Sequence, residues 1–261
     1  MSNSLAFATP QFWRERVWAA GIHLLLSLLI AGLAALLVFG LWYPYPYREI
    51  AGGRELFMLV VTVDVILGPA ITLAIFDRRK GMPVLRRDLA VVAALQLAAL
   101  VYGLWTVSVA RPVQLVYEFD RFRVVHAIDV PDELLAKTPV GIDAKPWLGP
   151  GLLAVRPFKD EAEKMEANVS ALSGLQQAFR PDFWQTYPEA VSRAAKAAKP
   201  LDDLKRRFPQ RVSDIDAAVD VTGKSADQLA YLPLAARKHF WTVLLDRSSS
   251  QVLGYIALDS F

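Results

Sequence analysis

Three uninterrupted apolar blocks constrain this chain before anything else: residues 17–42 (VWAAGIHLLLSLLIAGLAALLVFGLW), 56–76 (LFMLVVTVDVILGPAITLAIF) and 89–110 (LAVVAALQLAALVYGLWTVSVA). At a rise of about 1.5 Å per residue, each is long enough to cross a hydrocarbon core of about 30 Å. Hydrocarbon offers no water to bond a bare backbone, so each block is expected to close its own hydrogen bonds as a helix. The composition agrees, since 54% hydrophobic over 261 residues exceeds what a soluble domain of this size carries. The reading is a three-helix transmembrane domain over 1–110 and an exported domain over 111–261. Arg14 and Arg16 precede the first block as they would a signal peptide. However, its apolar run is much longer than such a leader, and LWYPYPYRE stands where a small-residue cleavage site would be needed.

Orientation follows from the short loops, because Lys and Arg are retained on the cytoplasmic side. The loop 77–88 (DRRKGMPVLRRD) carries Arg78, Arg79, Lys80, Arg86 and Arg87, whereas the loop 43–55 carries only Arg48 and Arg54. The N-terminus and second loop are therefore expected to be cytoplasmic, and the domain after residue 110 periplasmic. Residues 1–110 hold 9 Lys+Arg and 6 Asp+Glu, which leaves 20 of each for the exported domain. A neutral exported domain argues against nucleic acid as a partner.

The chain has no cysteine, which excludes disulfides, thiolate metal sites and covalent haem attachment. The exported domain reads as α+β. PVQLVYEFDRFRVVHAI (112–128) and HFWTVLLDRSSSQVLGYIAL (239–258) read as two β-hairpins. Helices are predicted over 160–178, 188–198 and 201–207, with a short one in SADQLAYL after Ser225. The proline-rich stretch 138–158 reads as loop or strand. Zinc-protease, P-loop, nucleophile-elbow and dinucleotide motifs are absent, so no catalytic residue or cofactor is assigned. His23, His126 and His239 show no ligand spacing, so no metal is assigned; the last two read as surface or strand histidines.

One carboxylate stands out. Asp64 lies within TVDVILGP (62–69), near the middle of the second apolar block. An acid at such depth costs about 2.5–3.5 kcal/mol on insertion scales, so it faces protein, pairs or becomes neutral. Pro69, beside Gly68, removes the hydrogen bond to the Val65 carbonyl and is expected to kink the helix there, leaving backbone groups for a partner or water to satisfy. Gln96 in the third block and His23 in the first lie at depths that allow a polar seam with Asp64. Three roles remain open for Asp64: a contact that holds the bundle, a docking site for another membrane segment, or part of a proton or ion path. At the far end of the first block, Trp42, Tyr43, Tyr45 and Tyr47 with Pro44 and Pro46 read as an aromatic belt along the membrane interface.

GIHLLLSLLIAGL, FGLWYPYPYREIAGGRELF, VDVILGPAITLAIFD, LRRDLAVVAALQLAALVYGLW and ARPVQLVYEFDRFRVV, in this order, resemble the type IV pilin accessory proteins of bacteria, the TfpX/TfpZ type. The resemblance spans about residues 20–128. It implies a multi-pass inner-membrane protein without enzymatic activity that assists assembly of a cognate major pilin, alone or with other assembly components. On that reading Asp64, Gly68, Pro69, Gln96, His23 and the aromatic residues Trp42, Tyr43, Tyr45 and Tyr47 are partner-binding candidates, with membrane lipid as the other partner. A membrane-anchored envelope enzyme and a small sensor or transporter are the alternatives.

Overall fold

The computed structural model describes residues 10–261, which form two compact units. Gly53–Ser108 and the chain up to Gly40 make the first; Leu41–Gly52 and Val109–Phe261 make the second.

Three helices, which supply the first unit and end or begin at its borders, are long and apolar enough to cross a membrane: α1 (Pro10–Trp42), α2 (Gly53–Ile75) and α3 (Met82–Val109). Their leucines, isoleucines and valines stay largely open to the surroundings, as expected where lipid rather than water is the solvent. This is a membrane protein. α3 begins inside the predicted loop 77–88, with Pro83 in its first turn, where a missing N–H is harmless. α1 and α2 pack together through an edge-to-face pair, Phe39 and Phe57, with centroids 4.9 Å apart. Near the other end, Arg16 donates to the Leu73 carbonyl at 3.3 Å. α2 is not regular throughout: Val63–Leu67 is π-helical, directly before Gly68 and Pro69. The expected kink is thus a widened turn, which holds Asp64.

The second unit is built on a mixed sheet. Its strands are β1 (Pro112–Glu118), β2 (Arg121–His126), β3 (Gly151–Val155), β4 (Trp184–Thr186), β5 (Lys199–Pro200), β6 (Leu229–Ala235), β7 (Phe240–Asp246) and β8 (Val252–Ile256), in spatial order 4-3-1-2-6-7-8 with β5 beside β6. Both expected hairpins are present: β1 and β2 turn at Phe119 and Asp120, and β7 and β8 pair antiparallel. The Asp246 carboxylate ties the second turn by accepting from the main-chain N–H groups of Ser248 and Ser249. β1 is buried along its whole length because the sheet is covered on both faces. One face packs Leu115, Tyr117, Phe122 and Leu234 against Tyr187, Ala190 and Ala194, the last on α5 (Val191–Ala197). A second apolar cluster joins Val116, Phe183 and Trp184 to Ala167 of α4 (Glu161–Leu172). A third sets Tyr231 and Leu244 against α6 (Leu201–Arg207) and α7 (Val212–Thr222).

Three elements differ from expectation, the first being the helix expected over 160–178, which ends at Leu172. SADQLAYL yields only a turn of 3-10 helix, Ala226–Gln228, before the chain extends into β6. A strand covered on both faces has the same continuous apolar character as a buried helix. Pro233 is tolerated there because it falls in the gap between the residues of β6 that pair β5 (Ala230, Tyr231) and those that pair β2 (Leu234, Ala235). Residues 212–222, for which no helix is expected, form α7. Its Ile215 and Val219 face the core four residues apart, and Gly223 ends it in the left-handed conformation at φ 67°.

The aromatic segment departs furthest from expectation. Trp42 and Tyr43 are almost completely buried, Tyr47 and Ile50 join the sheet's core, and Tyr45 alone of the four aromatics is exposed. A lipid-interface belt therefore does not describe Trp42, Tyr43 or Tyr47, which are buried against protein. The segment is clamped at both ends, by Gly149 N–H donating to the Leu41 carbonyl at 2.9 Å and Lys238 N–H to that of Ile50 at 3.3 Å. Gly149 has φ +64°, which a side chain would resist. The Trp42 and Trp147 rings meet edge to face at 5.2 Å, and the Arg111 guanidinium lies over Trp147. Burial pushes the Tyr43 phenol well up, against the opposing charges of Arg237 and Arg111. Pattern alone does not separate this segment from a belt, since aromatic rings at a helix end suit either setting.

Candidate functional site

The residues singled out in the apolar blocks meet in the first unit. A cavity of about 280 Å³ opens among the three long helices, walled mainly by Leu26, Ile30, Leu97 and Leu100. His23, Ser27, Asp64 and Gln96 are its polar lining. Asp64 is 8% exposed, and its Oδ1 has no hydrogen-bond partner among the described residues. The neighbouring polar groups are committed elsewhere. The Gln96 side-chain amide donates to the Asp64 main-chain carbonyl at 3.2 Å, and His23 Nδ1 lies 2.6 Å from Thr72 Oγ1. Gly68 is needed for this arrangement, because a Cβ there would fall inside the Gln96 amide. Pro69 is buried beside it.

Asp64, Gly68, Pro69, Gln96 and His23 thus share one region of the bundle. Trp42, Tyr43, Tyr45 and Tyr47 belong to the second unit and are not part of it. Thr72, 2% exposed, is the polar residue that the sequence reading passed over. It follows Asp64 and Gly68 at four-residue spacing, which was the available signal. Chemically, the cavity offers a carboxylate oxygen without a donor in apolar surroundings. A group of that kind favours a hydrogen-bond donor brought in from outside, since an orphaned buried acceptor costs about 1–3 kcal/mol. A second groove, apolar and about 460 Å³, runs between α2 and α3 past Leu59, Val63, Ala99 and Gly103.

In the second unit, His126 is a strand histidine, buried at the end of β2, and its Nδ1–H donates to Asp129 Oδ2 at 2.9 Å. Arg237 holds the other oxygen of Asp129 at 2.8 Å. Burial raises the Asp129 carboxyl, but the bonds and charge of His126, with Arg237, outweigh it and hold it below its ordinary value. No group of three His, Asp or Glu side chains among the described residues is placed to hold a metal.

A family profile described as fimbrial assembly protein FimB matches residues 11–52, which run from the start of α1 to the end of the clamped aromatic segment. The fimbrial assembly protein of serogroup I from Dichelobacter nodosus is 34% identical over 245 residues, covering 93% of this chain and 95% of that protein. The serogroup E1 protein of the same organism is 31% identical over 244 residues, with the same coverage of both. That of serogroups C1 and C2 is 39% identical over 111 residues, or 42% of this chain and 85% of that protein. No solved structure matches. With two relatives above 30% identity along nearly the whole of both sequences, the chain belongs to the fimbrial assembly protein family.

Proposed function

We propose that this chain is a multi-pass inner-membrane accessory protein of type IV pilus assembly that engages its cognate major pilin as a chaperone or assembly modulator. The observation that carries this reading is the 34% identity to a fimbrial assembly protein along 93% of the chain. The basic loop 77–88 and the arginines at the start of α1 support a cytoplasmic N-terminus, with the α+β unit in the periplasm. Before polymerisation a pilin keeps an apolar helix in the membrane and a globular head outside it. A helix bundle followed by an α+β unit matches both parts. The bundle would receive the pilin helix at the Asp64 cavity, where an unpartnered acceptor and a widened turn stand ready, and the α+β unit would meet the pilin head. The role requires no cofactor and no enzymatic step.

The test is affinity purification of the tagged protein from gently solubilised native membranes after in-cell crosslinking, followed by mass spectrometry. Enrichment of the major pilin over abundant inner-membrane proteins is the expected outcome. Enrichment of envelope enzymes, or of nothing above background, would overturn it and favour an anchored enzyme or a sensor.

A further inference from the structure

We infer that the groove between the first turns of α1 and the segment leaving α2 binds the headgroup and upper acyl chain of an anionic glycerophospholipid. It encloses about 520 Å³ and is lined by Arg14, Glu15, Trp18 and Ile22 from α1 and by Phe76 and Arg78 just beyond α2. Arg14, Trp18 and Ile22 follow one another at four-residue spacing, so they form one stripe along the helix. Its polarity falls in order: a guanidinium, an amphipathic indole, then an aliphatic chain. Eight residues of helix span about 12 Å, which is the scale of the step from the phosphate level to the upper acyl region. Trp18 is largely exposed at the level where indoles favour the membrane interface.

The groove also carries net positive charge. Arg14 has no ion pair or hydrogen bond among the described residues. The Arg78 guanidinium stands 3.9 Å from the Glu15 carboxylate with two thirds of its side chain exposed, which leaves donors to spare. Nearby arginines are used differently. Arg16 lies over the Phe12 ring and bonds the Leu73 carbonyl, while Arg79 grips both oxygens of Asp77. A guanidinium presents paired donors that suit phosphate oxygens, and basic pockets between membrane helices select anionic headgroups. Free phosphate would meet only the arginines. The apolar wall running from Trp18 to Ile22 assigns the site to a lipid.

The test uses the full-length protein in mild detergent, with native mass spectrometry of lipids retained from equimolar phosphatidylglycerol and phosphatidylcholine of the same chain length. At least fivefold preference for phosphatidylglycerol is expected, and Arg14→Gln with Arg78→Gln should abolish it. Equal retention of the two lipids by the wild type, or an unchanged preference in the double variant, would overturn the inference. If the double variant fails to fold, Arg14→Gln alone serves, since it removes a side chain without a partner among the described residues; a wild-type ratio in that variant is equally fatal. Inorganic phosphate at millimolar concentration should leave the lipid in place. Displacement by phosphate would mean a bare anion site and overturn the lipid assignment.

Discussion

The Gln96 side-chain amide donates to the main-chain carbonyl of Asp64 at 3.2 Å, and that carbonyl lies five residues before Pro69. In the π-helical register of Val63–Leu67 its donor would be the N–H of residue 69, which proline lacks. An amide from α3 therefore stands in for a missing backbone donor in α2. Gln96→Ala is expected to destabilise the bundle by about 1–3 kcal/mol. Gly68→Ala should do the same, because its new methyl would displace the amide. The double variant should be little worse than either single one, since both break the same link. Unfolding midpoints of the four proteins in one detergent check this; simple additivity would show that the amide is not the shared element.

Asp64→Asn keeps the shape of the side chain and removes its charge. On the proposed reading, the bundle stays folded while crosslinked major pilin falls about tenfold, equivalent to about 1.4 kcal/mol of association free energy. Quantitative mass spectrometry of the purified complex, with the protein's own abundance as the control, reads this. Unchanged pilin recovery and unchanged piliation would remove charge from the docking mechanism.

The polar seam was legible in the sequence because hydrocarbon makes each polar residue conspicuous: Asp64, Gln96 and His23 stand out against leucine and valine, and Pro69 marks where a donor is missing. The placement of the aromatic segment was not legible. Trp42, Tyr43 and Tyr47 satisfy two environments with one composition, and only tertiary structure separates them: their burial, with Trp42 against Trp147 and Tyr47 against Tyr255. Within the α+β unit, hairpins closed by local turns could be read, as at Asp246 and its serines. β6 could not, since its partners β2, β5 and β7 include strands far away in sequence, and LAYLPLA carries no alternation once both faces are covered.

The aromatic segment supplies its own contrast. Tyr47→Ala and Trp42→Ala each remove a ring from a packed interior and are expected to cost about 3–5 kcal/mol. Tyr45→Ala removes a ring that is 59% exposed and should stay within about 0.5 kcal/mol. Denaturant titrations of the three variants, followed by near-UV circular dichroism, distinguish this pattern from a lipid belt, in which the three losses would be alike.

The α+β unit should also carry an acid-labile lock at the start of α4. Glu163 receives two parallel bonds from Arg156, at 2.7 and 2.9 Å, and one from the Lys159 N–H at 2.7 Å. The Arg156 bonds, then that of Lys159, hold its carboxyl down from 4.5 to about 2. A carboxyl depressed in the folded state contributes its stability in full above its unfolded value and loses it as pH falls through the folded one. The contribution of Glu163 should therefore fade between about pH 4.5 and pH 2. Glu163→Gln lowers the unfolding midpoint at neutral pH, and the gap to wild type should close across that window. Asp129 and Asp246, also held low, remain in both proteins, so the difference between the two curves isolates Glu163. A gap that stays constant from pH 6 to pH 2 would show that the Arg156 pair does not hold Glu163 ionised.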